Sequence, residues 1–219
     1  EEFALRYFEQ GADELYYQDI VASLYGRSNI IDLIKETAEH IFVPLTVGGG
    51  VRTLADIQSI LRAGADKVCL NTAAVARPEF ITEAAKSFGT QCVVVAIETI
   101  RQPDGSWKAF TDNGREPTGL DAYDWAMRAV DLGAGELLLT SVDREGTFKG
   151  FELEFLEKIA RKVSVPVVAH GGAGSLDDFV QVAEVGVDGV AVAGVLHYGR
   201  LGLKDIKLHL LRKSVEVST

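Results

Sequence analysis

Short β-branched runs alternate with amphipathic stretches along the whole chain. The runs are ELYYQDIV, PLTVGG, KVCLNTA, VVVAIET, ELLLTSVD, PVVAHGG and GVAVAGV, and between them lie segments such as NIIDLIKETAEHI and TLADIQSILRAG, whose apolar residues recur at helical spacing. Strands separated by helices of this length make βαβ units and therefore a parallel sheet. Glycines at positions 11, 64, 89, 133 and 186 stand where helices should stop, and Thr53 and Ser175 stand where N-caps should start them. The pattern predicts seven strands and eight helices. Residues 101–118, RQPDGSWKAFTDNGREPT, are too long for an ordinary connection and carry DG and NG turn signals, which predicts a small hairpin over one end of the sheet.

Residues 1–80 reappear in pattern, without a gap, as residues 123–202. Adding 122 carries Gly11 onto Gly133, Pro44 onto Pro166, Gly49-Gly50 onto Gly171-Gly172, and Asp66 onto Asp188. A repeat of that length is half a domain rather than a solenoid unit. The apolar strand at residues 93–100 has a partner that falls before residue 1, so the pattern expects one further strand upstream. Seven parallel strands plus one in a duplicated half-domain architecture predict an α/β fold, a (β/α)8 TIM barrel of two half-barrels with its first strand missing from this chain. Residues 1–219 read as a single, N-terminally incomplete barrel domain; an open doubly wound sheet is the alternative.

Composition narrows the function classes. With 219 residues, 47% of them hydrophobic, the chain can bury one large core. No apolar run approaches the roughly 18 residues of a membrane helix, and the charged start is not a signal peptide, so a cytoplasmic protein is expected. The net charge of −10, without a basic cluster, disfavours nucleic acid and anionic membranes as partners. Cys69 and Cys92 sit in strand-like runs as small buried hydrophobes, and the four histidines lack ligand spacing, so neither a disulfide nor a metal site nor a cofactor is expected.

In such a barrel, polar residues at the C-terminal ends of strands face the site, whereas those at the other end serve stability. The first class holds Asp19, Gly48-Gly49-Gly50, Asn71-Thr72, Glu98, Thr140-Ser141, His170-Gly171-Gly172 and Ala193-Gly194. GGG before TLADIQSIL and HGGAG before SLDDFVQVA are loops whose bare backbone N–H groups can close around a phosphate. Because both occur at the same place in the two halves, a substrate with a phosphate at each end is expected. Glu98, closing an apolar strand, is the candidate proton donor if burial raises its pKa, and a satisfied structural carboxylate otherwise. Asp19 either orients substrate hydroxyls or caps its loop; His170 is a catalytic group or a polar contact. Glu14, Lys67 and Glu136 begin alternate strands at the opposite face, either as solvated strand ends or as a charged ring closing the barrel floor.

The strings VGGGVRTLADI, GADKVCLNTAAV, VVVAIE, GAGELLLTSVDREGT and AHGGAGSLDDF resemble the cyclase subunit of imidazole glycerol phosphate synthase, over about residues 4–212. The resemblance implies a (β/α)8 barrel that takes ammonia from a glutaminase partner, adds it to a ribulosylamine-linked bisphosphate, and yields imidazole glycerol phosphate and an aminoimidazole carboxamide ribotide in histidine biosynthesis. It puts one phosphate on Gly50, Asn71 and Thr72, and the other on Gly146, Gly172, Ala193 and Gly194, with His170 beside it. Asp19, Asn113, Thr140 and Ser141 fall on substrate-contacting positions. Glu14, Lys67 and Glu136 match three members of the family's ammonia gate, whose fourth, an arginine, would sit on the upstream strand.

The departures are equally specific. The family uses two aspartates, one on the upstream strand as base and one as acid where this chain has Glu98. His170 and Gly194 replace serines of the second phosphate site, and Asn113 replaces a serine near the mouth. These changes resemble cyclase-like paralogues that aminate sugars for surface polysaccharides, a rival reading; a non-catalytic binding subunit is the third. The unpaired sheet edges left without the upstream strand invite a homo-oligomer that covers the gap.

Overall fold

The computed structural model describes residues 2–19 and 28–218. Its strands are β1 (Leu15–Gln18), β2 (Leu45–Gly48), β3 (Lys67–Leu70), β4 (Val93–Arg101), β5 (Trp107–Thr111), β6 (Glu116–Asp121), β7 (Glu136–Ser141), β8 (Val167–His170) and β9 (Gly189–Ala191). All except β5 and β6 run parallel, in the order β1-β2-β3-β4-β7-β8-β9. This is the expected nearly closed barrel. Ile20 and Val21, placed in the first strand by the sequence pattern, lie outside the described residues.

The helices that cover the sheet are α1 (Glu2–Glu9), α2 (Ser28–Ala38), α3 (Leu54–Arg62), α4 (Thr72–Ala76), α5 (Glu79–Phe88), α6 (Ala122–Asp131), α7 (Leu153–Ala160), α8 (Leu176–Glu184), α9 (Gly194–His197) and α10 (Leu203–Arg212). The two-residue period of the strands divides the burial. Leu137 and Leu139 turn outward into the layer that holds Phe80, Phe155 and Ile159, while Leu138 turns inward with Cys69, Val94 and Ala96. Burying a side chain such as Phe155 contributes on the order of 2–3 kcal/mol, and the outward layer holds dozens of them.

The duplication extends to individual hydrogen bonds. Thr53 caps α3 in a capping box with Asp56, and Ser175 caps α8 in the same box with Asp178. Asp66 accepts the Leu45 N–H at 2.8 Å, and Asp188 accepts the Val167 N–H at 2.9 Å, each 122 positions on. The two ends of the chain also meet: Tyr7 Oη on α1 lies 2.6 Å from His197 Nδ1 on α9, and Lys207 Nζ on α10 lies 2.6 Å from Asp13 Oδ1 in the loop before β1.

Two expectations are corrected in the mouth segment. Glu98 does not end its strand, because β4 continues to Arg101, and the predicted single hairpin is a three-stranded antiparallel ribbon of β4, β5 and β6. The reason is in the turns: Asp104-Gly105 closes β4 onto β5, and Asn113-Gly114 closes β5 onto β6, so two turn signals make two hairpins. The ribbon is tied to the loop after β7, where Asp143 accepts the Arg101 N–H at 2.7 Å and Val142 N–H donates to Thr99 O at 2.9 Å. Among the described residues no helix is long and apolar enough to cross a membrane.

Candidate active site

Strand register sorts the inward side chains into levels. On β1 and just before it, Glu14, Tyr16 and Gln18 share the inward face; across the ladder Gln18 lies beside Gly48, Gly48 beside Cys69, Ala96 beside Leu138, and Glu98 beside Thr140, itself beside His170. The lowest level is ionic. Lys67 Nζ lies 2.8 Å from Glu14 Oε2 and 2.7 Å from Glu136 Oε2, and Thr46 Oγ1 donates to Glu14 Oε1. Burial alone would depress the Lys67 pKa, but the hydrogen bonds and charges of Glu136 and Glu14 outweigh it and raise it. Burial raises the Glu136 pKa against the pull of Lys67, as expected where two carboxylates share one ammonium. The three residues read as a ring therefore meet in one cluster.

Above it the interior is apolar: Cys69, Val94, Ala96 and Leu138, joined by Tyr16, Val168 and Ala191. Burial pushes the Cys69 thiol up to about 12, so at neutral pH it is a small neutral hydrophobe rather than a nucleophile.

At the mouth, burial raises the Glu98 pKa, opposed by hydrogen bonds from the Gly114 N–H and Asn71 and reinforced by the charges of Glu145 and Asp112. The Gly114 N–H donates to Glu98 Oε2 at 2.8 Å. That contact is possible because Asp112, Asn113 and Gly114 all take positive φ and fold the ribbon tip back over the strand. Asn113 itself stands exposed at the turn. Opposite, Thr140 Oγ1 lies 3.2 Å from His170 Nδ1, and burial depresses the His170 pKa, so the imidazole is neutral at neutral pH. Thr140 and Ser141 are both buried.

The two glycine loops share their backbone conformation and their close approach. At Gly49, φ is +97° and an added Cβ would lie 2.1 Å from Asp19 O; at Gly171, φ is +93° and an added Cβ would lie 2.6 Å from Ser141 O. Asp19 and Ser141 are themselves 122 positions apart, so one close approach is built twice. Gly50 and Gly172 follow in each half, with Asn71-Thr72 at the start of α4 and Ala193-Gly194 at the start of α9. Asn71 Oδ1 is buried and has no hydrogen-bond partner among the described residues. The second cradle has no such amide; an added Cβ on Gly194 would sit 3.4 Å from the Phe148 ring, and exposed Gly146 lies in the loop between that ring and β7.

Residues 1–202 match the family described as histidine biosynthesis protein. The chain is 54% identical over 178 residues to the imidazole glycerol phosphate synthase subunit HisF of Legionella pneumophila, covering 81% of this chain and 84% of that one. It is 47% identical over 221 residues to the HisF subunit of Beutenbergia cavernae, covering 99% and 86%. The chain belongs to the HisF family.

Within this HisF framework, sequence reasoning missed three features. Gly114 was read only as a turn residue, yet its N–H holds Glu98. Glu145, in the DREGT string, bears electrostatically on both Glu98 and His170. Tyr16 and Gln18 were read only as part of the strand run ELYYQDIV, although their period of two with Glu14 already placed a phenol and an amide on the inward face.

Proposed function

We propose that this chain is the cyclase subunit of imidazole glycerol phosphate synthase, acting with a glutaminase partner on the ribulosylamine-linked bisphosphate of histidine biosynthesis in the cytoplasm. The observation that carries the reading is the repeated cradle: equivalent glycine loops follow β2 and β8, with the half-buried carboxylate of Glu98 between them. Gly50, Asn71 and Thr72 take one phosphate; Gly146, Gly172, Ala193 and Gly194 take the other, with His170 as a neutral partner. Asn71 Oδ1 is available to accept from a substrate hydroxyl or amide. Asp19, Asn113, Thr140 and Ser141 line the span between the phosphates.

Glu98 then serves as the general acid of the lyase step. Burial raises its pKa above the ordinary glutamate value, the direction a proton donor needs, and the Gly114 N–H and Asn71 hold the carboxyl in place. The Glu14–Lys67–Glu136 cluster is the floor gate through which ammonia enters from the glutaminase. Phe42, 84% exposed and packed edge-on against Phe8 beside the start of β2, gives that face an aromatic anchor for the partner.

The second reading, amination of a sugar acceptor through the same floor, is favoured by one observation. The second cradle has Gly194 against the Phe148 ring where the family carries a serine hydroxyl, a poorer phosphate seat and a better wall for an apolar or glycosyl group. Turnover of the bisphosphate with ammonium salts separates the readings: formation of imidazole glycerol phosphate supports the first, and binding without turnover supports a non-catalytic subunit.

A further inference from the structure

Between the ionic floor and Glu98 the barrel interior offers apolar walls at the level of Val94, Ala96, Leu138, Val168 and Ala191. One side chain packed there carries a hydroxyl. Tyr16, half-buried, donates from Oη to Gln18 Oε1, and both meet Cys69 over Gly48, whose missing Cβ would lie 2.5 Å from Gln18 Oε1, 2.6 Å from Tyr16 Oη and 3.1 Å from Cys69 Cβ. Gln18 is exposed and closes β1 at its C-terminal end beside Gly48, so by register the pair stands at the upper end of the apolar stretch. A bulky residue in place of Gly48 would occupy the space these two polar atoms use.

We infer that the Tyr16–Gln18 pair is the relay that receives ammonia from the barrel interior and hands it toward Glu98. The inference rests on the proposed delivery of ammonia through the floor. Uncharged ammonia crossing apolar walls forfeits its hydrogen bonds, at a cost that a wall hydroxyl at the far end recovers. Inserted between the two side chains, the ammonia nitrogen accepts from the Tyr16 hydroxyl while an ammonia N–H donates to Gln18 Oε1. Burial, with the neighbouring Cys69 and Glu98, raises the Tyr16 pKa well above the ordinary phenol value, so the hydroxyl keeps the proton it must donate. Tyr16 thus acts as a positioning residue for ammonia and not on the bisphosphate itself.

The test uses the chain reconstituted with its glutaminase subunit and measures glutamate released per imidazole glycerol phosphate formed, alongside turnover with ammonium chloride. Tyr16→Phe keeps the ring and removes the donor. Its glutamine-dependent turnover should fall about tenfold, with glutamate release outrunning product, while ammonium-dependent turnover changes less than about twofold. Gln18→Met, which removes the acceptor at similar volume, should uncouple in the same direction and serves if the phenylalanine variant folds poorly. Unchanged coupling in either folded variant overturns the relay. Wild-type protein active with ammonium chloride but silent with glutamine removes delivery through the barrel and the relay with it; wild-type silent with both removes the assigned reaction itself.

Discussion

Lys67 Nζ lies 2.7 Å from Glu136 Oε2, joining strands that stand on opposite sides of the junction between the two half-barrels. The same ammonium reaches Glu14 at 2.8 Å, so one cation ties three strands at the floor. Both carboxylates would be left facing each other without it.

Lys67→Ala should therefore destabilise the protein by about 2 kcal/mol, the order expected for breaking a partly buried pair. It should also lower glutamine-dependent turnover more than ammonium-dependent turnover. Chemical denaturation and the paired assays check this; equal losses with the two nitrogen sources would argue against a gate.

Glu98→Gln should reduce cyclisation by about two to four orders of magnitude, the range for losing a general acid, while bisphosphate affinity changes little. The stability effect has a defined sign. Burial raises the folded-state pKa of Glu98, so folding favours its protonated form, and wild-type stability falls as pH rises from about 4.3, the unfolded glutamate value, through the folded one. The glutamine variant should melt higher than wild type at pH 7, with the advantage vanishing below about pH 4. Thermal melts across pH measure it directly.

His170 should act in the opposite direction. Its pKa is depressed by burial, so its contribution is fully present above about pH 6.5 and is lost as pH falls below that value. His170→Asn should flatten the decline in melting temperature between about pH 6.5 and pH 5. An unaltered slope would place the titration elsewhere.

Much of this was legible because the chain repeats itself. The 122-residue offset predicted the half-barrels, and Thr53 and Ser175 were legible as N-caps; the structure adds that both caps are closed into capping boxes and that the approaches of Gly49 to Asp19 and Gly171 to Ser141 match. The ribbon was less legible. A single long segment with two turn signals reads as one hairpin unless the strand before it is allowed to run past the candidate residue Glu98, as β4 does to Arg101. Contacts made by a backbone N–H, such as Gly114 to Glu98, leave no mark in residue type. Tyr16 and Gln18 were hidden differently: in a strand run that carries polar atoms at several positions, only the period of two picks out which of them turn inward.

Phe42→Asp should weaken glutaminase binding about tenfold or more, the cost of replacing an exposed aromatic anchor by a charge, without altering ammonium-dependent turnover. Isothermal titration with the partner reads it. Unchanged affinity would move the docking face away from the start of β2.

The most direct test is a crystal structure with the bisphosphate bound. One phosphate should rest on Gly50, Asn71 and Thr72 and the other on Gly172, Ala193 and Gly194, with Glu98 facing the span between them. Density for a single phosphate, or for a ligand anchored outside both glycine loops, would contradict the account.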